Sequence, residues 1–370
     1  MMTLRPQTTP LVQSLPATVP FVGPETQERA RGRPFAARLG ANENGFGPSP
    51  KAIAAMAAAA PGMWKYCDPE NHDLRQALAV HLGVAAQNVM VGEGIDGLLG
   101  IVVRQYVEPG QPVVTSLGAY PTFNYHVSGF GGRLVTVPYA GDREDPQALL
   151  DAVKREGAGL VYFANPDNPM ASWHAADAVQ AFIEALPETT MLVLDEAYGE
   201  FAPAGTMPGL DTARPNVLRM RTFSKAYGLA GLRCGYCIGE AEAISAFDKV
   251  RNHFGITRMA QAACLAALGD SDHLAGTIAN VERARGIIAG IAARNGLCAL
   301  PSATNFVTID CGRDGAFALS VMSGLVERGV FARKPMAPGL DRCIRISCGP
   351  DAELDLFAAA LADTLAAAAA

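Results

Sequence analysis

Lys225 stands in the run Arg221-Thr222-Phe223-Ser224-Lys225-Ala226-Tyr227-Gly228. Thirty residues upstream, Asp195 closes the apolar run Met191-Leu192-Val193-Leu194 and is followed by Glu196-Ala197-Tyr198. One lysine and one carboxylate at strand ends are what a pyridoxal phosphate (PLP) enzyme needs. The amine can hold the cofactor's aldehyde as an imine, and the carboxylate keeps the pyridine nitrogen protonated so that the ring accepts electrons.

Other segments offer polar groups at element ends. Gly92-Glu93-Gly94-Ile95-Asp96-Gly97 follows a predicted strand and opens a helix predicted over 98–105. It fits the G-x-G-x-x-G pattern, with Glu108 downstream. Free N–H groups at a helix N-terminus bind phosphate, so the loop suits a dinucleotide or PLP alike. Asn165-Pro166-Asp167-Asn168-Pro169 ends another strand; it is either a plain tight turn or part of a ligand site at the carboxyl end of a sheet. Tyr120, in Gly118-Ala119-Tyr120-Pro121, can lie flat on a planar cofactor or pack as core. Arg345, in Cys343-Ile344-Arg345-Ile346-Ser347, is a charge inside an apolar strand. It needs a partner, either a structural carboxylate or a substrate's.

These residues need a scaffold that brings strand ends together. Strands are predicted over 88–91, 112–116, 133–137, 159–164, 190–195, 217–222 and 235–239, with helices between most of them, for example 175–186. That alternation indicates an α/β fold with a mainly parallel seven-stranded sheet covered on both faces. Ser49-Pro50 caps an Ala-rich helix over 51–60. Beyond about residue 240 the pattern changes. Long helices over 242–252, 258–268 and 271–294 precede strands over 305–310, 330–333 and 342–347 and a last helix over 351–365. This reads as a smaller α+β domain. The expected division is an arm over 1–38, a large PLP-binding domain over 39–250 and a small C-terminal domain over 251–370.

A chain of 370 residues, about half of them apolar, supports two cores. The net charge of −6 and the lack of a basic cluster point to small-molecule partners rather than nucleic acid. The N-terminus does not read as a signal peptide, and no apolar run reads as a membrane span. Eight scattered cysteines suit reduced thiols and a cytoplasmic location. Cys234-Gly235-Tyr236-Cys237 fits C-x-x-C but reads as strand core. No metal site is expected.

The chain resembles the fold-type I PLP-dependent aminotransferases, and most the histidinol-phosphate aminotransferase family, from about residue 39 to 349. The motifs that carry this are Ala41-Asn42-Glu43-Asn44, Gly47-Pro48-Ser49-Pro50, Tyr66-Cys67-Asp68-Pro69, Gly94-Ile95-Asp96, Asn168-Pro169, Asp195-Glu196-Ala197-Tyr198, Ser224-Lys225, Gly231-Leu232-Arg233 and Ile344-Arg345-Ile346. The resemblance implies roles. Lys225 would bond PLP and shuttle the α-proton, and Asp195 would pair with the pyridinium. Asn168 and Tyr198 would bond the ring oxygen, and Tyr120 would stack on the ring. Gly94, Ile95, Asp96, Ser224 and Arg233 would hold the phosphate, with Tyr66 reaching it from the other subunit of a homodimer. Arg345 would clamp the α-carboxylate. Arg333, Asn44 and Tyr66 would meet substrate, Arg333 at a substrate phosphate. The implied reaction moves an amino group between a donor such as histidinol phosphate and 2-oxoglutarate. Alternatives are an aromatic amino acid aminotransferase, a PLP decarboxylase of a phospho-amino acid, and an NAD-dependent oxidoreductase using residues 92–97. The chain departs from the family in two places. Met170-Ala171 stands where Thr-Gly is usual, and Phe21 follows Pro20 where a tyrosine often contacts the substrate phosphate.

Overall fold

Seven of the apolar runs form one sheet in the computed structural model, which describes residues 6–17 and 22–369. Pro20 and Phe21 lie outside the described residues. Across the sheet the strands run Val89–Gly92, Gly235–Ile238, Val217–Thr222, Met191–Asp195, Leu160–Ala164, Pro112–Ser116 and Arg133–Val137. All are parallel except Gly235–Ile238, which is antiparallel to both its neighbours. Helices cover both faces, and the central strands Leu160–Ala164 and Met191–Asp195 are buried along their whole length. That double cover is why these runs read as continuously apolar rather than alternating.

Local rules set the helix starts. The Ser49 hydroxyl accepts from Lys51 N at 3.0 Å and bonds Asp270, while Pro50 occupies the first turn of the helix Pro50–Ala59. Asp145, Thr257 and Asp314 cap the helices Pro146–Glu156, Arg258–Leu268 and Gly315–Glu327 in the same way.

A second, three-stranded antiparallel sheet has the order Cys343–Ser347, Phe306–Asp310, Cys298–Ala299. It packs on the helices Ser271–Arg294, Gly315–Glu327 and Asp351–Ala369 in a core that also takes in Ala171, Tyr198, Phe201 and Ala226 of the large domain. Ala37–Arg38 pairs in parallel with Val330–Phe331, and Leu39 is buried in the same core. The chain entering the large domain is therefore tied to the small one. The helix Arg258–Leu268 instead packs against Pro50–Ala59, in the cluster that holds Val89 and Tyr236 of the large sheet.

The long helix expected over 242–252 is a correction. The chain forms a short helix, Ala241–Ser245, and a 3-10 turn, Ala246–Lys249. The Val250 carbonyl accepts from Arg104 Nη1 at 2.8 Å, and Asn252 Nδ2 donates to Glu93 at 3.1 Å. These bonds to the neighbouring helix draw the segment out of its own helical ladder. Among the described residues no helix is long and apolar enough to cross a membrane. All eight cysteines are free thiols, and Cys234 and Cys237 are both buried.

Candidate active site

The carboxyl ends of the large sheet open into a cavity of about 390 Å³. Asp195 ends its strand there, and Lys225 enters from the turn after Val217–Thr222. Asn168 comes from the turn after Leu160–Ala164, Tyr120 from the N-cap of Pro121–Gly129, and Ile95 and Asp96 from the first turn of Gly94–Tyr106. The second sheet contributes Arg345, and the N-terminal segment contributes Ala41, Asn42 and Glu43.

The helix at the glycine-rich segment starts at Gly94, four residues before the sequence predicts, directly after the strand. Gly92 therefore ends the strand and Gly97 lies inside the helix, so the first-turn amides of Gly94, Ile95 and Asp96 face the cavity end of the sheet. Gly94 has φ +70°, and a side chain there would come within 2.6 Å of the Arg233 guanidinium. Arg233 donates to Asp96 Oδ2 at 3.2 Å, and Tyr120 donates to Asp96 Oδ1 at 2.7 Å.

Lys225 Nζ donates to the Asn42 carbonyl at 3.1 Å and lies 5.6 Å from the centre of the Tyr198 ring. Burial and the nearby Arg345 guanidinium push its amine down to about 8. Asp195 is buried, and burial pushes its carboxyl up to about 6. Tyr162 OH at 2.7 Å and Ala197 N at 3.0 Å both donate to it and work in the opposite direction. Among the described residues it has no ion-pair partner, yet it lines a cavity. A carboxylate in that position is complementary to a cationic ring nitrogen.

The Tyr198 hydroxyl accepts from Asn42 Nδ2 at 2.9 Å. Arg345 Nη1 donates to Asn168 Oδ1, while Arg345 Nε and Asn42 Oδ1 are buried without a hydrogen-bond partner. Unfilled polar atoms on two cavity walls are what a bound polar molecule would satisfy. An amine, a carboxylate without a cation, a stacking phenol and a helix-start phosphate cradle together fit PLP.

Four expected residues, Gly94, Asn44, Arg333 and Tyr66, do not line this cavity. Asn44 braces its own loop, with Nδ2 donating to the Ala226 carbonyl at 3.2 Å and Oδ1 accepting from Phe46 N at 3.1 Å. The neighbouring Asn42 takes the place in the site. Arg333 bridges the Arg345 backbone and donates from Nη2 to the Val22 carbonyl at 2.7 Å. Burial, then Arg345, push its guanidinium down to about 10. Tyr66 is 78% exposed, with its ring 4.8 Å from that of Phe254.

The chain matches the family model for class I and II aminotransferases over residues 37–361. This chain belongs to that family. Its members are pyridoxal-phosphate-dependent transaminases acting on small molecules, and so is this enzyme. Among relatives, a histidinol-phosphate aminotransferase from Anaeromyxobacter sp. is 39% identical over 98% of this chain and all of its own length. The crystal structure of a histidinol-phosphate aminotransferase from Sinorhizobium meliloti, in complex with pyridoxal 5'-phosphate, is 57% identical and superposes with a TM-score of 0.96 over the whole of both chains. An aspartate aminotransferase from Thermus thermophilus, 21% identical, shares the fold with a TM-score of 0.82 over 97% of this chain and all of its own.

Asn42, Tyr162, Thr222 and Glu43 line the site without having been singled out from the sequence. Asn42 belongs to a motif that the resemblance used, so a signal existed. Tyr162 belongs to a fully buried apolar strand and carried none. At the departure from Thr-Gly, Ala171 takes φ +63°, a left-handed backbone that favours the family's glycine.

Proposed function

We propose that this aminotransferase uses histidinol phosphate as amino donor and 2-oxoglutarate as acceptor, with PLP held in the cavity between Lys225 and Asp195. The observation that carries the cofactor placement is the facing pair: a lowered amine and an unpaired buried carboxylate on the walls of one cavity. The two histidinol-phosphate aminotransferases that match along the whole chain support the donor.

When bound, PLP supplies an aldehyde that carries the amino group and a ring that accepts electrons. The protein does the rest. Lys225, with its amine pushed down to about 8, is neutral often enough near neutral pH to take a proton from a substrate carbon and return it. Asp195 supplies a fixed negative charge to the ring nitrogen. Asn168 and Tyr198 present hydrogen-bonding groups to the ring oxygen. The amides of Gly94, Ile95 and Asp96, with Ser224 and Arg233, hold the phosphate. Arg345 binds the α-carboxylate of glutamate and 2-oxoglutarate; histidinol phosphate has no carboxylate and presents its phosphate to the same guanidinium, which orients its C–H bond. Arg333 serves the anionic end of the donor. Asn44 acts on substrate only by holding the loop that presents Asn42.

An aromatic amino acid is the second reading for the donor. Val22 already occupies Arg333, and Phe21 lacks a phenolic hydroxyl. We place the enzyme in the cytoplasm as a homodimer with shared sites. The test is a panel of amino donors against the PLP-loaded enzyme, followed by the loss of the bound cofactor's long-wavelength absorption. Histidinol phosphate and glutamate should both discharge it within seconds, and borohydride treatment beforehand should fix the cofactor to Lys225. Discharge by an aromatic amino acid but not by histidinol phosphate would favour the second reading. Fixation on another lysine would overturn the placement.

A further inference from the structure

Tyr162 lies in the middle of Leu160–Ala164, a strand buried at all five positions. Its ring stacks on Phe123 with centroids 4.7 Å apart and planes 23° from parallel. A phenylalanine would pack there equally well, so the hydroxyl needs its own explanation. A hydroxyl taken out of water costs stability unless it is bonded. This one donates to Asp195 Oδ2 at 2.7 Å.

The sheet register produces that contact. Tyr162 is opposite Val193 on the neighbouring parallel strand, and Ala164 is opposite Asp195. Val193 and Asp195 point to the same face, because side chains alternate along a strand. Tyr162 therefore reaches Asp195 diagonally, one pair along the ladder. Asp195 Oδ1 accepts from Ala197 N at 3.0 Å. Each carboxylate oxygen thus has one donor of the protein's own, and both Tyr162 and Asp195 line the cavity.

We propose that Tyr162 is the positioning residue for Asp195: its hydroxyl pins the carboxylate in the one orientation and the one charge state that a cationic cofactor ring requires. The inference rests on the assignment of Asp195 to the cofactor. The need for such a device is visible in the surroundings. Burial first, then Asp96 from the helix Gly94–Tyr106 and Glu196 from the same turn, favour the neutral acid at 195. Glu144 and Tyr120 face Tyr162, and Tyr198 is a further neighbour of Asp195. None of these groups is a cation. Before the cofactor arrives, the donors of Tyr162 and Ala197 are what favour the charged form. Of the two, only Tyr162 is a side chain that selection could change.

The experiment compares wild type, Tyr162→Phe, 3-fluorotyrosine at position 162, and Asp195→Asn. Two measurements are made: the infrared carboxyl band of the cofactor-free protein against pH, and the PLP dissociation constant by quenching of intrinsic fluorescence. Asp195→Asn identifies the band by its loss. Tyr162→Phe should raise the titration of that band by about one pH unit and weaken PLP binding about tenfold, the scale of one hydrogen bond to a charged group. The fluorinated ring keeps the hydroxyl and makes it a stronger donor, so it should move the titration the other way. Tyr162→Phe that loses thermal stability while both position-162 variants keep the wild-type titration and affinity would overturn the proposal, leaving the hydroxyl as ordinary packing. Unchanged PLP affinity in Asp195→Asn would instead overturn the cofactor assignment, and this inference with it.

Discussion

Arg345 is held where a point charge would not serve. Nη1 is committed to Asn168, and Nε is buried with no partner, so one edge of the guanidinium is anchored while another remains for a ligand. Its carbon lies 5.1 Å from the centre of the Phe306 ring, which fixes the plane from one side. A planar fork presented in that way matches a carboxylate or a phosphate with two parallel bonds. Lysine keeps the charge and loses the fork. Arg345→Lys should therefore raise KM for amino donor and 2-oxo acid alike by about 10–100-fold, from the loss of roughly 1.5–3 kcal/mol of charged hydrogen bonding. PLP affinity should stay within about twofold. Steady-state kinetics with both substrates, beside a cofactor titration, check this; a change confined to cofactor affinity would move Arg345 to another role. At this scale the sequence was legible where a residue contradicts its surroundings. A lysine after a strand and an arginine inside one both call for a partner. Tyr162 contradicts nothing in the apolar run 160–164, so only its register against Asp195 reveals what the hydroxyl does.

Two elements meet where the expected phosphate cradle is built. Gly235 opens the antiparallel strand Gly235–Ile238, and a Cβ there would lie 3.0 Å from the Arg221 carbonyl oxygen, from Gly94 C and from Ile95 N. All three are backbone atoms, so none can rotate away. Gly235→Ala should push the strand off the first turn of Gly94–Tyr106 at a cost of about 1–3 kcal/mol. PLP affinity should fall at least several-fold as the amides lose alignment, with the fold retained. Thermal melting and a PLP titration read the two effects separately, and wild-type affinity in a destabilised variant would show that the turn does not hold the phosphate. Element periodicity was readable across the large sheet, because each strand is a short apolar run between turn residues. Strands 112–116, 133–137 and 217–222 coincide with what the structure contains. The failures have local causes. Residues 242–252 have helical composition, but bonds to Arg104 and Glu93 from a neighbouring helix end the helix early. The strand Cys298–Ala299 is two residues long and left no periodic trace. The expected boundary at residue 250 is a related case. Arg258–Leu268 packs on Pro50–Ala59 of the large domain, and we propose that the boundary falls near residue 270 instead.

Several acids inside the molecule are pushed above the usual carboxylate range. Burial, then the charge of Asp167, push Glu144 well above the carboxylate range; burial pushes Asp167 to about 7 and Glu200 to about 7. Glu144 accepts from Ser116 Oγ at 2.6 Å and Ala164 N at 3.1 Å, and Asp167 accepts from Tyr139 OH at 2.8 Å. The folded state binds protons that the unfolded chain, titrating near 4, has released. This contribution to stability is full below pH 4 and is lost as pH rises through 7. Glu144→Gln keeps both contacts, since Ser116 can turn its hydroxyl to accept, and it removes the titrating group. The fall in urea midpoint between pH 5 and 8 should be smaller in the variant than in wild type; equal slopes would mean that Glu144 is ionised in the folded protein. The surface poses a different problem. Trp64 is 81% exposed and Tyr66 78%, with Met63 and Phe254 also open beside them. Large apolar groups gathered in one exposed patch mark a contact surface. Arg258 Nη1 donates to the Tyr66 carbonyl at 3.0 Å, which holds the backbone of this segment while its rings stay in solvent. Tyr66 does not reach the cavity of its own chain, so a role at the cofactor requires a two-fold interface that carries it to the partner's. Lys225→Ala and Tyr66→Ala should each be nearly inactive, the second through loss of PLP. Mixed under conditions that exchange subunits, they should form hybrids in which one site has Lys225 from one chain and Tyr66 from the other. Activity should then reappear, up to about half the wild-type value per hybrid. No recovery from a mixture shown by sedimentation to contain hybrids would confine Tyr66 to holding its own loop.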